Sequence, residues 1–294
     1  MSLIPRVFTA MVTPYDEDLR VNYDKAAELA EYLVNNGSDG LVVSGTTGEA
    51  PVLKAEEQLK LCETVKRQVG DRVEVWAGTG SNCTAATVEL NREVEKLGVD
   101  GVLLVNPYYN KPTQEGLYQH YKTIAEHTDL PIMLYNIPGR TGGNVLPETI
   151  LRLSELPNLK AIKEASGDIN QMSLLRSLLP ERVAIYSGDD SFTLPLLAVG
   201  GAGVVSVASH IVGKEIKAMV EAFLAHDTAT ATALHLKMFP VFRGLFMVTN
   251  PIPVKEALNL MGMNLGGFRL PLTSMNDAER GKLSALLRQF NLLG

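Results

Sequence analysis

The stretch VFTAMVTPYDED, residues 7–18, joins a short apolar run to a turn that contains a proline and three acidic residues. A short run rich in β-branched residues and bounded by proline is typical of a buried strand. In an open doubly wound sheet that binds a dinucleotide, the first strand usually leads into a glycine-rich G-x-G-x-x-G turn. No such turn follows Pro14, so the stretch favours the other common arrangement of parallel strands, a closed barrel.

Seven further runs of the same kind follow along the chain. They are GLVVSGTT (40–47), VEVWAGTG (73–80), GVLLVNPY (101–108), PIMLYNIP (131–138), LKAIKEAS (159–166), RVAIYSGD (182–189) and AGVVSVAS (202–209). Longer amphipathic stretches between them predict helices, among them 24–36, 54–69, 82–97 and 114–127. Alternating strands and helices form parallel sheets with crossover helices. Eight such units in about 220 residues predict an α/β protein with a (β/α)8 TIM barrel.

Two helix starts have local signals. Asp168 is expected to cap the helix after the sixth strand, and Gln171 lies at the spacing that would complete a capping box. Pro147 is expected near the start of another helix, where a missing N–H does no harm.

The strand pattern stops after residue 210. Three helix-like stretches follow, at 226–248, 250–262 and 275–293, and the first is expected to be kinked or broken near Pro240. We therefore divide the chain into a barrel, residues 1–224, and a C-terminal three-helix appendage, residues 225–294. The appendage has few polar residues suited to chemistry, so we assign it to structure or to oligomer contacts.

Composition excludes several classes of protein. The 294 residues are 46% hydrophobic and 20% charged, and the net charge of -6 has no basic stripe that would bind nucleic acid. Two cysteines without a CxxC spacing argue against a disulfide framework or a zinc site, and the five histidines show no H-x-H or H-E-x-x-H pattern. No signal peptide or membrane-spanning run is visible, so we expect a cytoplasmic protein without a metal or membrane partner.

Lys163 is the unusual residue of the sixth run. Strand residues alternate between faces, so Lys163 shares a face with Ala161 and Ala165, and two small neighbours leave space beside it. A lysine in a strand is more often found at an edge or with its ammonium in water. Inside a barrel, however, burial would lower its pKa and supply the neutral amine that attacks a ketone, as a Schiff-base nucleophile does.

Polar side chains gather where the predicted strands end, which is where barrel enzymes place their active sites. A Schiff-base enzyme needs proton transfer, and a chain of Tyr135, Thr46 and either Tyr108 or Tyr109 would supply it. Arg140 lies in a glycine-rich loop, where a guanidinium can grip a carboxylate. Packing at a strand end or a solvated loop charge would explain each of these residues equally well on its own. The other polar residues at this end are Thr47, Ser206, Ser209 and the SGDD segment.

Taken together, these residues resemble the class I, pyruvate-dependent aldolase family that includes dihydrodipicolinate synthase and N-acetylneuraminate lyase. The resemblance implies that Lys163 forms the Schiff base with pyruvate, that Tyr135 donates and accepts protons, and that no cofactor is required. It covers nearly the whole chain, in the segments VFTAMVTP, GTTGE, NPYYNKPTQEGLYQHY, YNIPGRTG, IKEASGD, SGDD, NPIPVK and RLPL.

Within that family, Thr46, Thr47 and Arg140 are similar to the dihydrodipicolinate synthase branch rather than to the sialic-acid lyases. The resemblance implies that Arg140 binds the carboxylate of L-aspartate 4-semialdehyde and that Thr47 holds the pyruvate carboxylate. It also implies that Tyr109 completes the Thr46–Tyr135 relay from a neighbouring subunit of a homo-oligomer, either a tetramer built as a dimer of dimers or a dimer. The remaining implied pocket residues are Gly188 and Val205.

The expected reaction joins pyruvate to L-aspartate 4-semialdehyde and gives 4-hydroxy-tetrahydrodipicolinate, on the route to diaminopimelate and lysine. Two alternatives stay open at this point. One is another pyruvate-dependent aldolase, acting on a 2-keto-3-deoxy sugar acid or N-acetylneuraminate, and the other is a non-catalytic barrel that binds a keto acid.

The chain departs from the pattern of lysine-inhibited members of the family. Asn82 and Tyr108 are retained, but Ala55 and Gln58 stand where such members have histidines, and Ala86 stands where they have a carboxylate that grips the ligand's amine. A lost charge-assisted hydrogen bond typically removes about 1.5–3 kcal/mol of binding energy. We therefore expect weak or absent feedback inhibition by lysine.

Overall fold

A computed structural model describes residues 5–293 and contains a closed barrel of eight parallel strands in sequence order. Each predicted run contains one strand, which confirms the predicted (β/α)8 barrel. The strands end before the runs do, because the last few residues of each run leave the sheet as loops at the C-terminal mouth of the barrel. The strands are β1 Val7–Ala10, β2 Gly40–Val43, β3 Glu74–Gly78, β4 Gly101–Val105, β5 Ile132–Asn136, β6 Leu159–Glu164, β7 Ala184–Ser187 and β8 Gly203–Ser206.

Helices connect the strands and surround the barrel. The four helices predicted by residue number lie within two residues of α1 to α4 at both ends. Short 3₁₀ turns occupy Ala50–Val52 and Asp190–Phe192. The helices are α1 Tyr23–Asn35, α2 Ala55–Val69, α3 Thr84–Glu95, α4 Gln114–Ala125, α5 Pro138–Thr141, α6 Pro147–Leu153, α7 Ile169–Leu178, α8 Thr193–Ala198, α9 Ser209–Leu224, α10 Thr228–Gly244, α11 Ile252–Leu260 and α12 Asp277–Gln289.

Aromatic side chains fill the lower barrel, at the N-terminal ends of the strands. Phe8 packs edge-on against Trp76 and Tyr186, with ring centroids 5.9 and 5.5 Å apart. Gly40 is required beside Phe8, because a Cβ on this residue would lie 2.3 Å from the Phe8 ring. The Tyr186 hydroxyl donates to the Pro5 carbonyl. These rings therefore occupy the barrel interior at this end of the strands.

The structure confirms both predicted helix starts but not the predicted capping box. Pro147 is the first residue of α6, as expected, and the Asp168 carboxylate caps α7 by accepting from the Asn170 N–H at 2.8 Å. The predicted capping box is wrong, because the Gln171 amide turns away from the helix start. It donates instead to the fully buried carboxylate of Glu164, which has a greater need for donors than an exposed N–H has for an acceptor.

The C-terminal helices α10, α11 and α12 confirm the predicted three-helix appendage. Of the kink or break expected near Pro240, the break is wrong, since α10 runs through this residue without interruption, and the kink stays a prediction. Pro240 is exposed, and so is Leu236, whose carbonyl loses its N–H partner, so water can satisfy that carbonyl. The boundary between residues 224 and 225 stays a prediction. Within residues 5–293, every helix is too short or too polar to cross a bilayer.

Candidate active site

Lys163 lies in the barrel interior on β6, only 5% exposed. Gly188 makes room for it, since a Cβ there would lie 2.7 Å from the Ala165 Cβ and 3.1 Å from the Lys163 Cε. Burial is the main cause that lowers the pKa of Lys163 from 10.5 to about 7; the Asp190 carboxylate opposes this shift and the Arg140 cation adds to it. A large fraction of this side chain is therefore a neutral amine near pH 7.

Tyr135 stands beside Lys163. The two residues are paired in register between β5 and β6, and the lysine Nζ lies 4.2 Å from the centroid of the tyrosine ring. Burial raises the pKa of Tyr135 to about 12, while the Arg140 charge and the Thr46 hydroxyl lower it. Tyr135 is thus a phenol at neutral pH, able to give a proton and to relay one through a neighbouring hydroxyl.

A cavity of about 320 Å³ opens above this pair at the C-terminal mouth. Thr46, Tyr135 and Arg140 all line it, so the structure brings together three of the predicted site residues. Lys163 does not line this cavity and lies against the face of the Tyr135 ring, which does. Val205 is fully buried in the same interior cluster as Tyr135.

Thr47 and Arg140 are connected by a residue that the sequence analysis did not select. The Asn250 side chain donates to the Thr47 hydroxyl at 3.0 Å, and the Arg140 guanidinium donates to the Asn250 carbonyl at 3.1 Å. Asn250 is buried, and its Oδ1 finds no partner within the described chain. Asn250 is the first residue of the NPIPVK segment, which is one of the segments that resemble the family. Nothing in that segment indicates that the Asn250 amide would lie at the site.

Tyr109 lies apart from the cavity. It is 90% exposed, and its backbone has a φ of 74°, in the left-handed region that tyrosine rarely adopts. Its N–H donates to the Thr141 carbonyl at 3.2 Å, which ties this turn to the loop that carries Arg140. Within one chain, therefore, Thr46 and Tyr135 meet, whereas Tyr109 points away from them into the surroundings.

The sequence matches a known family over almost its full length. The model of the dihydrodipicolinate synthetase family matches residues 4–290. The chain belongs to this family. The 4-hydroxy-tetrahydrodipicolinate synthase of Desulforamulus reducens is 57% identical over 289 residues, which cover 98% of each chain. The relative of the same name from Thermosynechococcus vestitus is 56% identical over 289 residues, again 98% of each chain.

Solved structures of the family have the same fold. Dihydrodipicolinate synthase from Bacillus anthracis superposes with a TM-score of 0.95 at 46% identity, over 97% of each chain. The Cyanidioschyzon merolae enzyme, solved with lysine bound, gives 0.96 at 45% identity over 98% of each chain. These matches confirm the predicted family and the predicted enzyme class, a lyase with the Schiff-base chemistry of class I aldolases.

Asp190 is a further buried residue near the site of this family member. Its carboxylate accepts from the Ser206 hydroxyl and from the N–H groups of Val207 and Ala208, at 3.1 and 3.0 Å for the latter two. Burial raises its pKa to about 6 against the effect of these hydrogen bonds. Ser206 is thereby occupied, and Ser209 bonds to Thr9 at 2.7 Å, so both serines serve the fold. Asp190 is the last residue of the SGDD segment, which the sequence places at this end of the barrel.

The residues compared above with those of lysine-inhibited family members line the cavity or lie next to it. Gln58 lines the cavity and donates to the Ala50 carbonyl at 3.2 Å, while the Asn82 amide donates to the Tyr108 carbonyl at 3.2 Å. Ala55 and Ala86 line an adjoining groove of about 460 Å³. Among residues 5–293, no three His, Cys, Asp or Glu side chains form a metal-binding group.

Proposed function

We propose that this chain is a 4-hydroxy-tetrahydrodipicolinate synthase that condenses pyruvate with L-aspartate 4-semialdehyde in the cytoplasm. The observation that carries the proposal is the buried Lys163 beside Tyr135, with a pKa lowered to about 7, under a cavity at the barrel mouth. The relatives named above support the substrates. The two free thiols, Cys62 and Cys83, support a reducing compartment.

The neutral Nζ of Lys163 attacks the ketone carbon of pyruvate and forms a carbinolamine. Protonation of its hydroxyl through Tyr135 releases water and leaves the Schiff base. The Tyr135 phenolate left by that step takes a proton from the pyruvate methyl group and gives an enamine. The enamine carbon attacks the aldehyde of the second substrate, whose oxygen becomes a hydroxyl by taking this proton back from Tyr135. The amine of that substrate then adds to the imine carbon, the ring closes, and the bond to Lys163 breaks with return of the proton to its nitrogen.

The other proposed roles follow from position and charge. Arg140 lies at the rim of the cavity with its guanidinium held on one side by Asn250, which leaves donors for the carboxylate of the semialdehyde. We assign Thr47 to the pyruvate carboxylate, and Gly188 and Val205 to the walls around the Schiff base. In this arrangement Thr46 relays protons between Tyr135 and the open end of the cavity.

A panel of aldehydes tests the function. Pyruvate consumption is measured with L-aspartate semialdehyde, N-acetylmannosamine and glyceraldehyde, for the wild type, Lys163→Ala and the matched control Lys160→Ala, an exposed lysine of the same strand. Turnover with aspartate semialdehyde alone, lost only in Lys163→Ala, is the expected result. Preference for a sugar aldehyde would identify another pyruvate aldolase, and failure of borohydride to trap pyruvate on the wild type would identify a mere binder.

We assign Tyr109 to a neighbouring subunit's site in a homotetramer built from dimers. Its exposure and its left-handed backbone both support a role that is fulfilled only on assembly. Each of the variants Lys163→Ala and Tyr109→Phe should be nearly inactive by itself. When the two proteins are dissociated, mixed in equal amounts and reassembled, about half of the dimers contain one subunit of each variant. In such a dimer one of the two sites has both Lys163 and Tyr109, so about a quarter of wild-type activity should return. No regain on mixing would contradict the assignment.

We also propose that lysine inhibits this enzyme weakly or not at all. The groove that contains Ala55 and Ala86 has no carboxylate or imidazole at these two positions to bind the ligand. The measurement is the initial rate at increasing L-lysine, with both substrates near their KM. Sub-millimolar inhibition would refute the proposal, and Glu89, which lines the same groove, would then be the first carboxylate to replace.

A further inference from the structure

A buried carboxylate lies directly behind the proposed active site. Glu164 follows Lys163 on β6, so the two side chains point to opposite faces of the strand. Lys163 faces the barrel interior, whereas Glu164 faces the surrounding helices and is fully buried. Within residues 5–293 no lysine, arginine or histidine forms an ion pair with it. A buried charge without a cation must be stabilised by hydrogen-bond donors.

Those donors are two side-chain amides and a backbone N–H. The Glu164 Oε2 accepts from Asn136 Nδ2 at 3.0 Å and from Gln171 Nε2 at 3.1 Å, and its Oε1 accepts from the Ser166 N–H at 2.7 Å. The same two amide nitrogens also donate to Asn144 Oδ1, at 2.8 and 3.2 Å. We call Asn136, Asn144, Glu164 and Gln171 the Glu164 network.

The hydrogen bonds of the network allow only one orientation of each of its three side-chain amides. The Asn136 Oδ1 accepts from the Val145 N–H at 3.0 Å, which fixes the orientation of that amide. The Asn144 Nδ2 donates to Gln171 Oε1 at 2.7 Å, which fixes the other two. Both hydrogens of the Asn136 and Gln171 amides are thus used, one on the Glu164 carboxylate and one on Asn144 Oδ1, and both of these groups can only accept at these oxygens. Such a closed network is rigid, because every member loses a partner if one moves.

The network joins both ends of the loop that carries Arg140. Asn136 is the last residue of β5, where the loop begins, and Asn144 and Val145 are where it ends. Between them lie the one-turn helix α5 and the glycines Gly139, Gly142 and Gly143, and so short a helix that contains glycine is only marginally stable by itself. The loop's end is also held by Asn106, Nδ2 to the Gly143 carbonyl at 2.6 Å, and by Gln114, Nε2 to the Asn144 carbonyl at 2.8 Å.

We propose that Glu164 is a positioning residue for the second substrate, and that through Asn136, Asn144 and Gln171 it holds the Arg140 loop where the guanidinium meets the substrate carboxylate. This inference rests on the proposed function, because it assumes that Arg140 binds the aldehyde's carboxylate. It separates two tasks on one strand. Lys163 on the inner face binds pyruvate, and Glu164 on the outer face sets the site for the acceptor.

Glu164→Gln is the decisive variant, because the new side chain has nearly the same shape. Its amide must point an NH₂ group either at the Ser166 N–H or at the amides of Asn136 and Gln171, so a donor faces a donor in both orientations. We expect the KM for aspartate semialdehyde to rise about tenfold or more. The rate at which borohydride traps pyruvate on Lys163 at pH 8 should stay within about twofold of wild type.

Two further variants separate positioning from general stability. Asn158→Ala is the matched control: it removes an amide that donates to the carbonyls of Ala125 and Thr128, both at 2.9 Å, at the opposite end of β6. It should lower the melting temperature and leave both kinetic readouts unchanged. In contrast, Asn144→Ala should reproduce the acceptor-specific rise in KM, and Glu164→Gln should add little to Arg140→Ala, since the loop then has no guanidinium to position.

A third measurement does not depend on the identity of the aldehyde. Hydrogen exchange of the peptide that spans 137–146 should be faster in Glu164→Gln than in wild type, and unchanged in Asn158→Ala. Unchanged exchange and an unchanged KM would overturn the inference, and equal losses of pyruvate trapping and acceptor use would show that Glu164 merely supports Lys163. If the wild type does not turn over aspartate semialdehyde, the proposed function is refuted. The rate of hydrogen exchange in 137–146 would still decide whether Glu164 holds the loop.

Discussion

Two lysines are buried within residues 5–293, and they differ in whether a carboxylate is paired with them. Lys255 in α11 is fully buried and pairs with the Glu49 carboxylate at 3.0 Å, with its ammonium 4.0 Å from the centroid of the Tyr15 ring. Lys163 also lies over a tyrosine ring, at 4.2 Å, but none of the described carboxylates forms an ion pair with it. The Asp190 carboxylate raises the pKa of Lys163, but its oxygens accept from Ser206 and two N–H groups.

The presence of a direct partner separates a structural lysine from a reactive one. Burial lowers the pKa of Lys255 to about 8, but the charge and hydrogen bond of Glu49 act against it and favour the ammonium. Burial lowers the pKa of Lys163 further, to about 7. At neutral pH, then, Lys255 is mainly a cation that joins α11 to the loop after β2, whereas much of Lys163 is a free amine. Three expected effects test this contrast.

The largest effect is expected for Lys163→Met, which keeps the length of the side chain and removes the nitrogen. Condensation should fall by on the order of 10⁴-fold or more, since no other group can form the Schiff base. The protein should nevertheless become more stable, by roughly 3–5 kcal/mol at pH 6, because a buried ammonium with a depressed pKa no longer has to be accommodated. Both are measured on purified protein, by pyruvate consumption and by urea unfolding.

The pH dependence of that gain has a definite sign. The unfolded chain binds the lysine proton more tightly than the folded one, so the wild type gains stability as pH rises from about 7 to 10.5. The advantage of Lys163→Met should therefore shrink across this window and vanish above it. A variant that is less stable than wild type at pH 6 would show that Lys163 is held as a compensated cation, like Lys255.

The second effect is expected for Lys255→Met, and it should fall on stability. Removal of the cation leaves Glu49 buried without its partner, which typically destabilises a protein by about 3–5 kcal/mol. Turnover by the folded fraction should stay within about threefold of wild type, because Lys255 lies outside the cavity. The double variant Lys255→Met with Glu49→Gln should recover part of the lost stability. A double variant as unstable as the single one would mean that packing, rather than charge, explains the loss.

The contrast also explains how far the sequence could be interpreted. The eight strands and Lys163 were predicted because their signals are local: short β-branched runs, and an alternation that sets one cation beside Ala161 and Ala165. Lys255 and Asn250 had no such signal, since they lie in a helical region and their partners Glu49 and Thr47 are 206 and 203 residues away. A helical period says which face is buried but not what a buried polar group will meet.

Other predictions from the sequence failed for the same reason, because contacts outside the local sequence decide the outcome. Gln171 has the spacing of a capping box, but its amide donates to the buried Glu164 carboxylate. A rule based on local spacing does not include this contact. Pro240 predicts a break in isolation, yet α10 continues because its exposed side can be hydrated. Tyr109 is 90% exposed in the single chain, and the role proposed for it requires a neighbouring subunit. Contacts brought about by folding, or by assembly, decide these cases.

The smallest expected effect concerns the pH at which Lys163 becomes reactive. The rate of pyruvate trapping should rise about tenfold per pH unit below pH 7 and level off above it, as the neutral amine is formed. Arg140→Ala removes a cation that disfavours the ammonium, so the midpoint should move to higher pH. Asp190→Asn removes an anion that favours it, so the midpoint should move to lower pH, in each case by less than about one unit.

Lys255→Met is the control for these profiles. If Lys163 responds only to groups around the cavity, the midpoint in this variant should coincide with that of wild type, although the protein is less stable. A midpoint that moves with Lys255→Met would mean that loss of the Glu49 pair shifts the whole loop after β2, including Thr46, and through it the surroundings of Tyr135 and Lys163. The two buried lysines would then be coupled, and the separation of structural from reactive lysine would fail.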